Sequence, residues 1–199
     1  MPLTLKSLTE ANLKRNFLWM PDGLGTWSSD DWIIAIAGEV GELAGEIKKI
    51  NRTRAGIIGN KTEPDTQDIA YEMADVIIYL DLYASSEGLT LVNIVHNMTG
   101  IYYFGEWAFT NLCDETYSPH KRPLSALGVH LITTLGALSP QAPVTYLSSD
   151  YGLQNQIYQL LVGVATIAKA LKIDLGKAIA DKFNKVSAKF GFDIFLGAS

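Results

Sequence analysis

The chain has 199 residues, 48% of them hydrophobic, with a formal net charge of -5 and a single cysteine, Cys113. This length and apolar content suffice for a full hydrophobic core, which favours one domain, or two small repeats that share a core, over a disordered chain. The negative charge without a long basic run argues against a nucleic-acid partner, and the lone cysteine excludes an internal disulfide and a cysteine-rich zinc site.

The first helix that the sequence predicts follows Trp27. Its apolar residues recur at intervals of three and four, which is the helical period, and small polar residues at its start are suitable N-caps. The apolar positions are Ile33, Ile36, Val40, Leu43, Ile47 and Ile50, and the candidate caps are Ser28, Ser29 and Asp30.

The same period predicts further helices along the rest of the chain. A loop rich in Gly, Pro, Asn and Thr at 55–66 precedes a second helix, which Gly88 closes. Its apolar residues are Met73, Val76, Ile77, Leu80 and Ala84. The later helices are 91–101 after a Thr90 cap, 124–138, 153–172, and 175–190 between an Asp174 cap and Gly191. No segment alternates like a strand, so we predict an all-α helical bundle.

Two stretches of the chain share one apolar pattern. Residues 71–91 align without gaps on residues 155–175, with Glu72 on Gln156 and Asp75 on Gln159. Two explanations of the shared pattern are open: an internal duplication, or the apolar periodicity that helical bundles have in common. A duplicated chain would have a first repeat at about 24–101 and a degenerate scaffold repeat, or an insertion, at about 117–199.

Acidic residues lie on one face of each of the first two predicted helices. Glu39, Glu42 and Glu46 are three and four residues apart, which places their carboxylates one turn above another. Glu72 and Asp75 repeat this spacing on the second helix. Antiparallel packing of the two helices would bring four carboxylates together.

Four converging carboxylates repel one another when they lose water, unless cations lie among them. Oxygen ligands favour hard ions, so we predict Mg²⁺, with Mn²⁺ as a substitute. A di-iron bundle would use Glu-x-x-His pairs instead, and no histidine lies near these acids in the sequence. Because carboxylate-bound Mg²⁺ commonly binds substrate phosphates, the pattern indicates phosphate-ester or phosphoanhydride chemistry. Two solvated acidic faces are the alternative.

Three segments, in this order, resemble the MazG-type all-α nucleoside triphosphate pyrophosphohydrolases, particularly the compact phage and bacterial members. They are "GEVGELAGEIKKINRTRAGIIGN", "YEMADVIIYLDLYA" and "IDLGKAIADKFNKVSAKFGF". They are similar to the family's E-x-x-E, E-x-x-D and Lys-Phe-Asn elements. The resemblance covers the two ends of the chain.

The resemblance implies an enzyme that cleaves a nucleoside triphosphate between the α- and β-phosphates, giving the monophosphate and pyrophosphate. A deoxynucleotide is the substrate that phage members suggest. Glu39, Glu42, Glu72 and Asp75 would be both the catalytic residues and the ligands of two or three Mg²⁺ ions.

The resemblance also assigns roles to the last helix. In compact members the Lys-Phe-Asn helix follows soon after the E-x-x-D helix, whereas a long segment intervenes here. A duplicated chain would resemble the fused arrangement of the related dimeric dUTPases, in which one half keeps the metal site. Lys182 and Asn184 would then reach the phosphates or the sugar across the pseudo-dimer interface.

Five more residues are candidates for substrate contacts. Arg52 and Arg54 suit a triphosphate because a guanidinium binds phosphate oxygens bidentately, and stabilisation of a helix C-terminus is the alternative. The resemblance suggests that Tyr79 packs on the sugar. Trp27 and Trp32 could stack on a base. Core filling is the alternative for all three aromatic residues, and it is the more common fate of a tryptophan in a bundle.

The rival to an enzyme is a non-catalytic helical regulator or adaptor that binds Mg²⁺-nucleotide without hydrolysing it. The intact acid pairs favour the enzyme. We expect a homo-oligomer, either a dimer or a tetramer, in the cytoplasm, or in the host cytoplasm if a phage encodes the chain. No membrane element is expected, because the N-terminus lacks an apolar core of signal-peptide length and Lys169 interrupts the apolar run at 157–171.

Overall fold

The computed structural model describes residues 2–59, 65–101, 107–115, 123–138 and 150–197, and within them the regular structure is helical. The α-helices are α1 (Leu5–Trp19), α2 (Ser29–Arg54), α3 (Thr66–Ser86), α4 (Leu91–Thr99), α5 (Phe109–Glu115), α6 (Leu124–Ala137), α7 (Asp150–Leu171) and α8 (Leu175–Phe190). They pack against one another as a bundle, which confirms the predicted all-α fold. No helix in the described ranges is both long and apolar enough to cross a bilayer.

Side-chain caps and a left-handed glycine set the ends of the two helices with the clearest sequence signals. Ser28 caps α2, where its hydroxyl accepts from the Asp31 amide and the Asp31 carboxylate accepts from the Ser28 amide. Asp174 caps α8 by accepting from the Lys177 amide. Helix α8 ends where Gly191 adopts a φ of 71°. These predicted helix ends are confirmed.

Other helix ends differ from the prediction by a few residues. Helix α4 ends at Thr99, because Gly100 adopts the left-handed conformation with a φ of 67°. Helix α7 ends at Leu171, because Lys172 has a φ of 58°, and it begins at Asp150, before the predicted start. A residue in the left-handed conformation turns the chain away from the helical path, so the backbone conformation of one residue sets each of these ends.

Helix α3 is the centre of the bundle and packs against α1, α2, α7 and α8. Eleven of its 21 residues are buried. Between positions 69 and 84 the residues that are not fully buried are Tyr71, Glu72, Asp75, Tyr79 and Leu82. These residues fall on one side of the helix, because most of them are spaced by three and four. Between positions 69 and 84 helix α3 therefore has one partly exposed stripe, and Glu72 and Asp75 lie on it.

Helix α1 is absent from the sequence prediction, as is the short helix α5. The buried face of α1 begins with Leu5 and Leu8 and continues into the polar residues Asn12, Arg15 and Asn16. Its apolar stripe is therefore too short to give a periodic signal. Because α1 packs against α3 and α4, its buried polar residues lie inside the bundle.

The two aligned stretches each form a helix, a turn and the start of a second helix. Helix α3 leads into α4 at Leu91, and α7 leads into α8 at Leu175, which is the aligned position. Many helical bundles have this arrangement, so the internal duplication stays a prediction. Residues 117–122, 139–149 and 198–199 of the proposed second repeat lie outside the described residues.

We expect Ile77→Ala to lower the free energy of unfolding by about 2–5 kcal/mol, because Ile77 is fully buried on α3 and its truncation leaves a cavity. Ile34→Ala on α2 is the matched control. Ile34 is 71% exposed, so we expect a change within about 0.5 kcal/mol. Chemical denaturation measures both values, and equal losses would contradict the central position of α3.

Candidate metal centre and adjoining pocket

Helices α2 and α3 bring three carboxylates together. One oxygen from each of Glu39, Glu72 and Asp75 lies within 4.8 Å of the others, and the three side chains are half-buried. The exposed Glu42 lies close enough for its charge to affect the pKa of all three. The structure therefore gathers the four predicted acids into one group, which we call the acid cluster (Glu39, Glu42, Glu72 and Asp75).

Burial and mutual repulsion make the charged state of the acid cluster costly in the metal-free protein. Burial first, and then the charges of Asp75, Glu42 and Glu72, raise the pKa of Glu39 from its ordinary value of 4.5 to about 7. Burial and the charge of Glu42 also raise the pKa of Glu72 to about 7. Burial raises the pKa of Asp75, with Lys182 opposing it. A cation among these oxygens would offset the repulsion.

Lys182 of α8 is a cation that the fold itself brings to the acid cluster. Its ammonium pairs with Oδ2 of Asp75 and lies 5.4 Å from the centre of the Tyr71 ring. Burial works to lower the pKa of Lys182, yet the contact with Asp75 and the charges of Glu72 and Glu39 outweigh burial and raise it. One ammonium does not balance four carboxylates, so further positive charge would stabilise the acid cluster.

The acid cluster fits a hard divalent cation for two reasons. Oε2 of Glu72 is buried and has no hydrogen-bond partner among the described residues, which leaves its lone pairs available. All the donor atoms are carboxylate oxygens, the ligand type that Mg²⁺ and Mn²⁺ prefer. Glu39, Glu72 and Asp75 would hold the cation, and Glu42 would be available from the exposed edge.

A pocket of about 370 Å³ adjoins the acid cluster. Glu39 and Asp75 belong to both, and Trp27, Trp32 and Tyr79 form part of the other walls. The volume lies at the lower end of the range that is usual for small-molecule sites. Another groove, of about 520 Å³, lies between the start of α1 and the C-terminal segment and has no acid-cluster residue in its walls. The pocket therefore joins the predicted aromatic residues to the predicted acids.

Four pocket residues on α1 have no role in the sequence prediction: Asn12, Arg15, Asn16 and Trp19. Arg15 is 6% exposed, donates to the Phe183 carbonyl at 2.9 Å, and stacks 3.6 Å from the centre of the Phe183 ring. Burial lowers the pKa of Arg15 to about 10, which leaves it charged at neutral pH. A signal was present: Asn12, Arg15, Asn16 and Trp19 recur at helical spacing, and a polar stripe at that period can mark a buried polar site.

Three predicted substrate residues lie away from the pocket. Arg52 donates to the Ile58 carbonyl at 3.0 Å, and Arg54 is exposed at the end of α2. A helix rises 1.5 Å per residue, so both lie about 15 Å or more along α2 from the acid cluster. Asn184 uses both ends of its amide to hold the Leu196 backbone, at 2.8 and 2.7 Å. Their substrate contacts stay predictions, and in this structure the three residues contact or adjoin chain segments outside the pocket.

We expect the metal-free protein to lose stability as the pH rises from about 4.5 to 7. In that window the folded protein keeps protons on Glu39 and Glu72, whose pKa is about 7, whereas the unfolded chain has released them. Glu72→Gln removes one of these groups and should reduce the fall in melting temperature. The control is Glu10→Gln, at a side chain that is 59% exposed, and its profile should follow the unmodified protein. Melting temperatures in EDTA across this range measure the effect. If the melting temperature of Glu72→Gln fell as much as that of the unmodified protein, Glu72 would not be a cause of the fall.

Comparison with known proteins does not identify a family for this chain, so its function has to be inferred from the chemistry of the site. No family model, no curated protein and no solved structure matches the chain. The resemblance to the MazG-type enzymes therefore stays a hypothesis, which depends on the three sequence segments. The acid cluster and the pocket beside it provide independent grounds on which that hypothesis can be tested.

Proposed function

We propose that the protein is a MazG-like, Mg²⁺-dependent nucleoside triphosphate pyrophosphohydrolase that produces a nucleoside monophosphate and pyrophosphate. The main support is the position of Glu39 and Asp75, which belong both to the acid cluster and to the wall of the pocket. A nucleotide whose nucleoside part lies in the pocket would therefore have its phosphates next to the carboxylates. The sequence resemblance suggests which phosphoanhydride bond is cleaved.

The carboxylates of Glu39, Glu72 and Asp75 are the proposed ligands of two or three Mg²⁺ ions, with Glu42 as a further ligand or a base. When bound, Mg²⁺ would neutralise phosphate charge and make water a better nucleophile near neutral pH. Because no other side-chain nucleophile is then needed, the absence of a nearby histidine in the sequence is consistent with this chemistry.

The proposed reaction is a displacement at the α-phosphorus. The oxygen of a water molecule forms a bond to the α-phosphorus, and the bond to the oxygen that bridges to the β-phosphate breaks. The bond electrons leave with pyrophosphate. Glu42 is exposed and lies outside the closest group of three carboxylates, so its carboxylate is available to accept the proton of the water. Glu39 is the other candidate base.

Lys182 and Arg15 are the cations that we propose for the phosphates, since both line the pocket. Lys182 pairs with Asp75 in this structure, and a cation bound to Asp75 would free the ammonium for a phosphate oxygen. Arg15 is held by its bond to the Phe183 carbonyl, and although the charge of Asp75 acts on its guanidinium, no ion pair joins it to a carboxylate among the described residues. Its charge therefore remains available to a ligand.

Incubation with a panel of ribo- and deoxynucleoside triphosphates in Mg²⁺ tests the proposed reaction. We expect monophosphate and pyrophosphate as products, no turnover in EDTA, and recovery with Mg²⁺ or Mn²⁺, because the acid cluster needs a cation to act on a phosphate. Chromatography that separates monophosphate from diphosphate measures the outcome. Diphosphate with orthophosphate, or full turnover in EDTA, would contradict the proposal, and nucleotide binding without any product would favour the regulator.

Glu72→Gln should lower kcat at least about a hundredfold, because even residues that only support a metal ligand change activity by about 10–100-fold. Its fold should be retained, since removing one of several clustered charges relieves repulsion. Glu46→Gln is the matched control. Glu46 belongs to the same acidic face in the sequence but pairs with Lys49 outside the group of three carboxylates, so we expect kcat within about threefold. Equal losses in two folded variants would remove the special role of Glu72.

A further inference from the structure

Asn12 has one polar atom left for a ligand. Its Nδ2 donates to the Ile78 carbonyl at 3.1 Å and to Oδ2 of Asp81 at 3.0 Å, which uses both amide hydrogens. Asn12 is only 1% exposed, and its Oδ1 has no hydrogen-bond partner among the described residues. A buried acceptor without a donor is costly. Because Asn12 lines the pocket, a donor on a bound ligand would satisfy it.

Asp81 fixes the orientation of the Asn12 amide. It is fully buried on α3, and its two oxygens accept from Nδ2 of Asn12 and from the hydroxyl of Thr9. If the amide were flipped, its oxygen would face the Asp81 carboxylate and the Ile78 carbonyl, so that acceptors would oppose acceptors. The polar atom that Asn12 keeps for the pocket is therefore an acceptor and not a donor.

Trp27 and Trp32 contribute two adjoining indole rings to the lining of the pocket, and Trp32 is almost fully buried at 1% exposure. Their rings meet edge to face with centroids 4.7 Å apart, and both residues line the pocket. Nε1 of Trp32 is buried and has no acceptor among the residues that the structure describes. Two residues that line the pocket thus each have a buried polar atom without a partner among the described residues: the acceptor Oδ1 of Asn12 and the donor Nε1 of Trp32. The edge of a nucleobase carries both N–H donors and acceptors, which are the groups that could pair with these two atoms.

We infer that Asn12, held in place by Asp81, recognises the base of the substrate through an N–H donor on the edge of that base. The inference rests on the proposed function for the identity of the ligand, and it assigns base recognition to α1 and phosphate chemistry to the acid cluster. Asn12 is then a specificity-determining residue, and Asp81 is a positioning residue that does not touch the ligand. A base whose edge has only acceptors is rejected, because it leaves two acceptors facing each other.

Binding of nucleoside monophosphates without metal tests base recognition separately from hydrolysis. The pyrimidine set is UMP, CMP and the monophosphate of pyrimidin-2-one riboside, which lacks the N–H donor without gaining bulk. The purine set is AMP, IMP and the monophosphate of purine riboside, which lacks it in the same way. Each set is measured in ribose and deoxyribose forms. Quenching of tryptophan fluorescence reports occupancy, because Trp27 and Trp32 line the pocket.

In at least one set we expect the tightest ligand to have an N–H donor and to bind at least about tenfold more tightly than the donor-free member, which is the effect of one lost hydrogen bond. We call this ratio the donor selectivity. Equal binding of donor-bearing and donor-free ligands in both sets, or no binding of any of them, would overturn the inference.

Three variants separate base recognition from a structural role. Asn12→Ala should bring the donor selectivity close to one. Asp81→Asn keeps the size of the side chain but no longer enforces the amide orientation, so it should reduce the selectivity while Asn12 is still present. Thr9→Val is the matched control: it removes the other hydrogen bond to Asp81 and should lower the melting temperature without changing the selectivity.

The variants are compared at about pH 8, because burial raises the pKa of Asp81 to about 6 and its carboxylate is then ionised. Asp81→Asn decides the matter if Asn12→Ala does not fold. Selectivity that survives in the folded Asn12 and Asp81 variants, or that is lost equally in Thr9→Val, would overturn the inference. Donor selectivity without triphosphate hydrolysis would count against the proposed function alone, and hydrolysis without donor selectivity would count against base recognition alone.

Discussion

Helix α3 is enclosed by α1, α2, α7 and α8, and this enclosure restricts where charge can lie in the bundle. A carboxylate can be placed on a buried helix only where it meets a partner or water, because an isolated buried charge is costly. Helix α3 offers one such stripe, and Glu72 and Asp75 lie on it. Asp81 lies on the buried part of the same helix, and it is compensated by hydrogen bonds from Thr9 and Asn12. The positions of Glu72, Asp75 and Asp81 on α3 thus follow from the packing around them.

The acid cluster places a local electrostatic cost on a fold that the rest of the core stabilises. The raised pKa values of Glu39 and Glu72 express that cost, since protonation relieves part of the repulsion. Lys182 relieves another part through its contact with Asp75. Sites that bind ligands commonly retain such locally unfavourable arrangements. Here the arrangement leaves the cluster able to gain from a cation, which is what a metal-dependent site requires.

The pocket divides its chemistry between helices that are distant in the sequence. Helices α2 and α3 provide Glu39 and Asp75 at one part of its wall, whereas α1 provides Asn12 and Arg15 and α8 provides Lys182. The acceptors, the cations and most of the aromatic rings of the pocket are thereby held on four helices that pack together. A ligand with a polar ring and a negatively charged tail would match this distribution, and a nucleotide has both.

The sequence by itself was sufficient for the main helices and for the acidic faces. Their signals are local: apolar residues at helical spacing, an N-cap such as Ser28, and carboxylates three residues apart, all of which depend on neighbours in the chain. Helix α1 was not predicted because most of its buried residues after Leu8 are polar, so the helical spacing of its apolar residues ends too early to give a signal. Local sequence patterns also did not predict that Arg15 and Lys182 are the cations that line the pocket. Arg52 is close to the acids in sequence, but the rise of α2 takes it away from them.

Lys182, unlike Arg52, is distant from the acids in the sequence but close to them in space. It is far from Asp75 in the chain, yet it meets Asp75 because α8 packs against α3. Spacing along one helix fixes which side chains share a face, whereas the partners of that face depend on long-range packing. For this reason the sequence alone yielded most of the helices and the two acid pairs, and it suggested that the pairs meet and, by resemblance, that Lys182 reaches the site. The distances among the carboxylates, the contact of Lys182 with Asp75 and the pocket beside them are decided only when the helices pack.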